Sequence, residues 1–190
     1  MNMRHLSLLI LTVVMLVNHA FAGEKTKGGI NWMTWDEVQV AMKKKPKKVL
    51  VDVYTDWCGW CKVMDKKTFA HPEVIKYLNE NFYAVKFNAE TKEEIMFMGK
   101  KYAFAREHSA NMLAAQLMNG QMSYPTTIIM EENFANPQPV PGYMKVAQLE
   151  MILTYLNTGT YKTTKFDEYS KTFKPTWEEM AGSEPAKGAH

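Results

Sequence analysis

The 190 residues hold two cysteines, Cys58 and Cys61, within Trp57-Cys58-Gly59-Trp60-Cys61-Lys62. A thiolate is both a nucleophile and a metal ligand, so the pair can do redox chemistry, supply half of a metal site, or staple a short loop. Two cysteines separated by two residues fit the first turn of a helix. There, unpaired amides and the positive end of the dipole stabilise a thiolate on the first sulfur. Its pKa in such motifs falls from about 8.5 to between roughly 3.5 and 7.5. The second sulfur, one turn later, faces inward and stays protonated more easily. Cys58 is therefore expected to be the exposed nucleophile, and Cys61 the buried thiol that attacks and releases a mixed disulfide formed on Cys58. A metal site usually takes four ligands, and this motif offers two. The 15 methionines are scattered, as core fillers are. A staple across so short a loop adds little stability. Redox chemistry is the favoured reading, with no metal and no organic cofactor; a binding module holding a metal or a client protein is the alternative.

Such a pair needs a corner between a strand and a helix, and its neighbours supply one. Val49-Leu50-Val51-Asp52-Val53-Tyr54 is β-branched and almost wholly apolar, which predicts a strand buried on both faces and interrupted by one acid, Asp52. A helical pattern follows the cysteines as far as Phe69. His71-Pro72-Glu73 restarts a helix to about Asn81, with Pro72 suited to its first turn and Glu73 to its dipole. Phe82 to Asn88 predicts a second strand, so the cysteines sit at the corner of a βαβ unit. Upstream, Thr34-Trp35-Asp36-Glu37 is a capping box, and Trp35, Val38 and Met42 recur at helical spacing. Lys43 to Lys45 close that helix and Pro46 ends it; the lysine run through Lys48 reads as a solvated helix end.

The whole chain is 46% hydrophobic, 23% charged and 12% aromatic, the balance of one globular domain with an extension. Disorder and a multi-bridge disulfide scaffold are both excluded. A formal charge of +3 is too mild to argue for nucleic acid. Residues 1–22 read as a signal peptide: Arg4 and His5, an apolar run from Leu6 to Val17, then Asn18-His19-Ala20-Phe21-Ala22. That run is short of the about 20 residues a membrane-spanning helix needs, so cleavage is favoured over an anchor. The expected location is periplasmic or secreted, where a cysteine pair can be oxidised.

At this point the residues resemble a family. Val51-Asp52-Val53-Tyr54-Thr55-Asp56-Trp57-Cys58-Gly59-Trp60-Cys61-Lys62 is similar to the active-site segment of thioredoxins. Ser123-Tyr124-Pro125-Thr126-Thr127 followed by Ile128-Ile129-Met130 resembles the cis-proline turn and strand that face the cysteines in that fold. Ala84-Val85-Lys86-Phe87-Asn88 resembles the middle strand, and Pro141-Gly142-Tyr143 with the run Ala147 to Leu156 resembles the last strand's end and final helix. The resemblance covers about residues 30–157. It implies an α/β thioredoxin fold, a mixed sheet flanked by helices.

The resemblance also implies roles. Asp52 is expected beneath the cysteines with a raised pKa, as the base that deprotonates Cys61, and Lys86 as the group that tunes it. Trp57, Gly59, Trp60, Tyr124 and Pro125 are expected on the substrate side, with the backbone of Tyr124 pairing an extended partner and the aromatics forming an apolar rim or packing on the domain itself. Two departures stand out. Trp60 replaces the proline of common reducing thioredoxins, which suggests a higher potential, and Tyr124 is larger than the usual residue before the cis-proline.

Two segments exceed a minimal thioredoxin. Within an insertion at about 91–110, Ile95-Met96-Phe97-Met98 and Lys101-Tyr102-Ala103-Phe104 flank Gly99-Lys100 and predict a β-hairpin expected to shape the substrate groove. Asn111 to Met118 resumes as helix, with His108 ahead of it as a cap or surface residue. The extension from residue 158 spaces Tyr161, Phe166, Tyr169, Phe173 and Trp177 as if one side docks; Thr176 to Glu179 is a second capping box, and disorder is expected after about 182. The expected activity is thiol–disulfide exchange with protein substrates, as a reductase or isomerase rather than a dedicated oxidase. Its partners would be cysteine-containing exported proteins and a membrane or periplasmic thiol donor or acceptor. A monomer is expected.

Overall fold

The computed structural model describes residues 28–177. The expected signal peptide and the segment after about 182 lie outside them. Strand β1 (Trp32–Met33) leads into helix α1 (Trp35–Lys44), whose capping box forms as expected: Thr34 Oγ1 accepts from the Glu37 amide at 3.2 Å and Glu37 accepts from the Thr34 amide at 2.8 Å. Strand β2 (Lys48–Tyr54) follows, then α2 (Gly59–Met64), a π-helical turn (Asp65–Phe69), α3 (Pro72–Asn81) and β3 (Phe82–Asn88). His71 caps α3 with Nδ1, which accepts from the Glu73 amide.

The central sheet has the order β1-β3-β2-β8-β9, where β8 is Thr126–Met130 and β9 is Gln138–Pro141. β1, β3 and β2 run parallel, and β8 and β9 are antiparallel to their neighbours. This is a thioredoxin fold. β1 escaped the sequence reading because two residues carry no periodicity. Lys48, expected in solvent, instead opens β2 and pairs with Glu132 at 3.1 Å.

Alternation along β2 divides the core. Val49, Val51 and Val53 face α1, with Val85, Phe87, Ile128 and Met130. Leu50 faces the other way, with Phe82, Ala84 and Ile129, toward α3 and α5 (Val146–Asn157). Asp52 shares the parity of Leu50, and Lys86, its register partner on β3, shares that of Ala84. Both point to the layer that contains α2.

The predicted hairpin forms as β4 (Ile95–Phe97) and β5 (Lys100–Tyr102). Its inner face packs into the core. Phe97 is buried against Trp35 at 4.9 Å and Phe134 at 5.0 Å, and Gln39 of α1 bonds the backbone of Met96 and Met98. The hairpin therefore completes the core under α1. A second small pair, β6 (Phe104–Ala105) and β7 (Ala110–Asn111), was not foreseen; it precedes α4 (Met112–Leu117), which Asn111 caps. His108 is exposed in a 3-10 turn.

The extension docks. Tyr155 of α5 contacts Tyr161, Phe166 and Tyr169, and Trp177 contacts Tyr77 at 5.2 Å; Phe166 lies in the last helix, α6 (Phe166–Thr172). Glu150, only 4% exposed, accepts hydrogen bonds from the amides of Thr176 and Trp177, each at 3.0 Å, and from the Thr176 hydroxyl. Thr176 thus donates to a buried carboxylate of α5, while Glu179 lies outside the described residues.

Candidate active site

β2 ends at Tyr54, and Thr55-Asp56-Trp57 carries the chain over the sheet edge to Cys58, whose amide bonds the Thr55 carbonyl at 3.2 Å. Cys58 is the N-cap of α2. Its sulfur accepts from the Cys61 amide at 3.0 Å, the place that a Ser or Asp oxygen usually takes. The two sulfurs are joined at 2.04 Å, with Cα atoms 5.3 Å apart.

One expectation needs correction. Cys58 is not exposed in this disulfide form: it is 4% accessible, close to Cys61 at 3%. The bond to Cys61 and the amide contact turn its sulfur onto the helix start. Trp57, 66% accessible, takes the outer position instead.

Beneath α2, Asp52 is buried and its Oδ2 lies 2.6 Å from Lys86 Nζ. Oδ1 finds no hydrogen-bond partner among the described residues. Burial pushes the Asp52 carboxyl up from 3.8 to about 6, against the opposing pull of Lys86, with Asp65 adding to the rise. Burial works against the charge on Lys86, but Asp52 and Asp65 outweigh it and hold its pKa above the usual value. Asp52 and Lys86 are thus paired, as the resemblance implied.

β8 runs antiparallel to β2, so it starts where β2 ends. The cis peptide Tyr124-Pro125 precedes it by one residue, which places it at the cysteine end of the sheet. The Pro125 carbonyl accepts from the Gly142 amide at 2.8 Å, tying the turn to the end of β9. Gly142 has φ of 96°, a value that favours glycine. The aromatic residues are not loose. Trp57 packs edge-on to Tyr124 at 5.8 Å and donates to Glu90 at 3.0 Å, while Trp60 lies 5.3 Å from Tyr143. Gly59 opens α2 with nothing within 4 Å of where a Cβ would stand.

Sequence reasoning missed Glu90, Tyr143 and Asp65, which contact Trp57, Trp60 and Lys86 respectively. Tyr143 was visible next to Pro141-Gly142. Glu90 and Asp65 gave no signal, because their partners are 33 and 21 residues away. Among the described residues, no cluster of three or more His, Cys, Asp or Glu is placed to hold a metal ion.

Comparison with known proteins places these features. A thioredoxin-fold protein from Helicobacter pylori superposes with a TM-score of 0.51 at 22% identity, covering 66% of this chain and 78% of that one; this likeness is one of fold. The thiol:disulfide interchange protein DsbD of Escherichia coli (strain K12) is 46% identical over 46 residues, which is 24% of this chain and 8% of DsbD. An uncharacterized protein of Caenorhabditis elegans, B0495.5, is 33% identical over 67 residues, or 35% of this chain and 9% of that protein. The matches thus span less than a tenth of either curated relative's length. The family Thioredox_DsbH, described as a protein of unknown function, DUF255, matches residues 17–180. With a thioredoxin fold and a redox-capable pair at Cys58 and Cys61, the chain belongs to the Thioredox_DsbH (DUF255) family.

Proposed function

We propose that this protein exchanges disulfides with protein substrates through Cys58 and Cys61, in the periplasm or outside the cell, as a reductase or isomerase. The observation that carries the reading is the Cys58–Cys61 pair at the start of the helix that follows β2, the strand that carries the buried carboxylate of Asp52. In the forward direction the Cys58 thiolate attacks a substrate disulfide, and Cys61, giving its proton to Asp52, attacks the Cys58 sulfur and frees the reduced substrate. A base for Cys61 serves this release step, on which reduction and isomerisation of a substrate both depend. Trp57, Trp60, Tyr124 and Pro125 form the substrate side, and the described aromatic packing supports a rim held in place before binding. The partners on this reading are exported proteins with cysteines and a membrane or periplasmic thiol donor.

Insulin reduction by dithiothreitol tests it. The chain should accelerate the reaction, Cys58→Ser should abolish the acceleration, and Cys61→Ser should accumulate a mixed disulfide on Cys58. Turnover that survives Cys58→Ser overturns the reading. Stoichiometric metal with no turnover would turn it to a binding module.

A further inference from the structure

Three charged groups lie in a row on the α2 side of the sheet. Asp52 is 2% exposed, the Lys86 side chain 23% and the Asp65 side chain 42%. Both carboxylates contact the one ammonium, Asp52 at 2.6 Å and Asp65 through a direct hydrogen bond. The rings of Trp32, Tyr54 and Phe69 stand 5.2, 5.1 and 5.7 Å from Nζ and wall its other sides. The Asp65 amide bonds the carbonyls of Cys61 and Lys62, so this residue is fixed one turn beyond the resolving cysteine. It also opens the π-helical turn whose last residue, Phe69, is one of the walls. Such turns are uncommon and recur at functional sites.

We propose that Asp65 is a positioning residue for disulfide exchange: it shares Lys86 with Asp52, and so keeps Asp52 able to take the Cys61 proton. This rests on the exchange reading above. An ammonium given wholly to Asp52 would hold that carboxylate as an anion and weaken it as a base. Asp65 draws part of the ammonium toward the surface and adds a second negative charge, and both effects strengthen proton uptake. Tyr54, on the Asp52 strand, also faces all three charges, and Asp56 acts on Tyr54 in turn. In the step served, the Cys61 S–H proton passes to Asp52 and the sulfur's electron pair forms the Cys58–Cys61 bond. The bond from Cys58 to the substrate sulfur breaks, and its electrons leave on the substrate thiolate, which takes a proton from water. Two electrons have then passed from the dithiol to the substrate. Asp52 later returns its proton to solvent.

The test is stopped-flow reaction of the reduced full chain with Ellman's reagent between pH 4 and 9. The first thionitrobenzoate marks attack by Cys58, and the second marks resolution by Cys61. Asp65→Asn should move the acid-side midpoint of the second phase to lower pH and slow it at pH 7 by about threefold to tenfold, part of what a positioned base contributes. Lys86→Met should move that midpoint the opposite way, and Asp65→Glu should keep the unmodified profile. A midpoint that stays in place in Asp65→Asn, or rises as in Lys86→Met, overturns the role of Asp65. No second phase from the unmodified chain overturns the exchange reading itself.

Discussion

The sulfur of Cys58 caps the helix that holds Cys61, accepting the Cys61 amide at 3.0 Å. The same amide is available to a thiolate once the disulfide opens, so the local backbone favours the reduced, reactive form of Cys58. On the proposed exchange reading, each end of the cycle has its own support: an amide for the Cys58 anion and a carboxylate for the Cys61 proton.

That carboxylate gives a prediction with a defined sign. The folded protein holds the Asp52 proton more tightly than the unfolded chain, with pKa about 6 against 3.8. Stability therefore falls as pH rises from about 4 through about 6, and the loss is complete above that range. Its full size is about 3 kcal/mol. Asp52→Asn removes the titration: urea denaturation of the oxidised form should show a gain of up to about 3 kcal/mol at pH 7 and none at pH 4. The same variant should resolve mixed disulfides about 100-fold more slowly.

Trp57 is the large exposed ring beside the disulfide, held by Glu90 and Tyr124. Trp57→Ala should raise KM for a protein disulfide about tenfold, the loss of one aromatic contact. Exchange with glutathione should be unchanged, and the free energy of unfolding should change by less than about 0.5 kcal/mol. Equal losses with protein and glutathione would show that the ring supports the cysteines rather than a substrate.

The docked extension depends on one buried carboxylate. Glu150→Gln keeps the shape but weakens charge-assisted bonds to Thr176 and Trp177, and should cost about 1–3 kcal/mol in urea denaturation. Truncation after residue 173 leaves that carboxylate without these donors and should cost at least as much. Combined, the two changes should cost less than their sum, because they break the same bonds.

Much of this site was legible because its information is local. Cys58, Cys61 and Asp52 lie within ten residues, and the alternation that buries Asp52 with Leu50 is written in β2 itself. The pairing of Lys86 with Asp52 came through the resemblance and forms in the parallel register, while the antiparallel register puts Pro125 at the end of the sheet where β2 ends. What stayed hidden depends on partners distant in the chain. A half-exposed Asp65 looks like any surface acid until β3 brings Lys86 to it, and Glu150 looks like a solvated helix residue until the chain returns 26 residues later. The inward packing of the hairpin stayed hidden for the same reason. Its strands follow from local alternation, but the burial of Phe97 against Trp35 depends on how α1 crosses the sheet.

The most direct measurement is the equilibrium reduction potential of Cys58–Cys61 in residues 23–190, by titration with glutathione. The account predicts one reversible two-electron couple between about −270 and −180 mV, the range from thioredoxin to disulfide isomerase. A value near about −120 mV, that of a dedicated oxidant, would contradict the proposed direction. The absence of any reversible couple would contradict the exchange chemistry altogether.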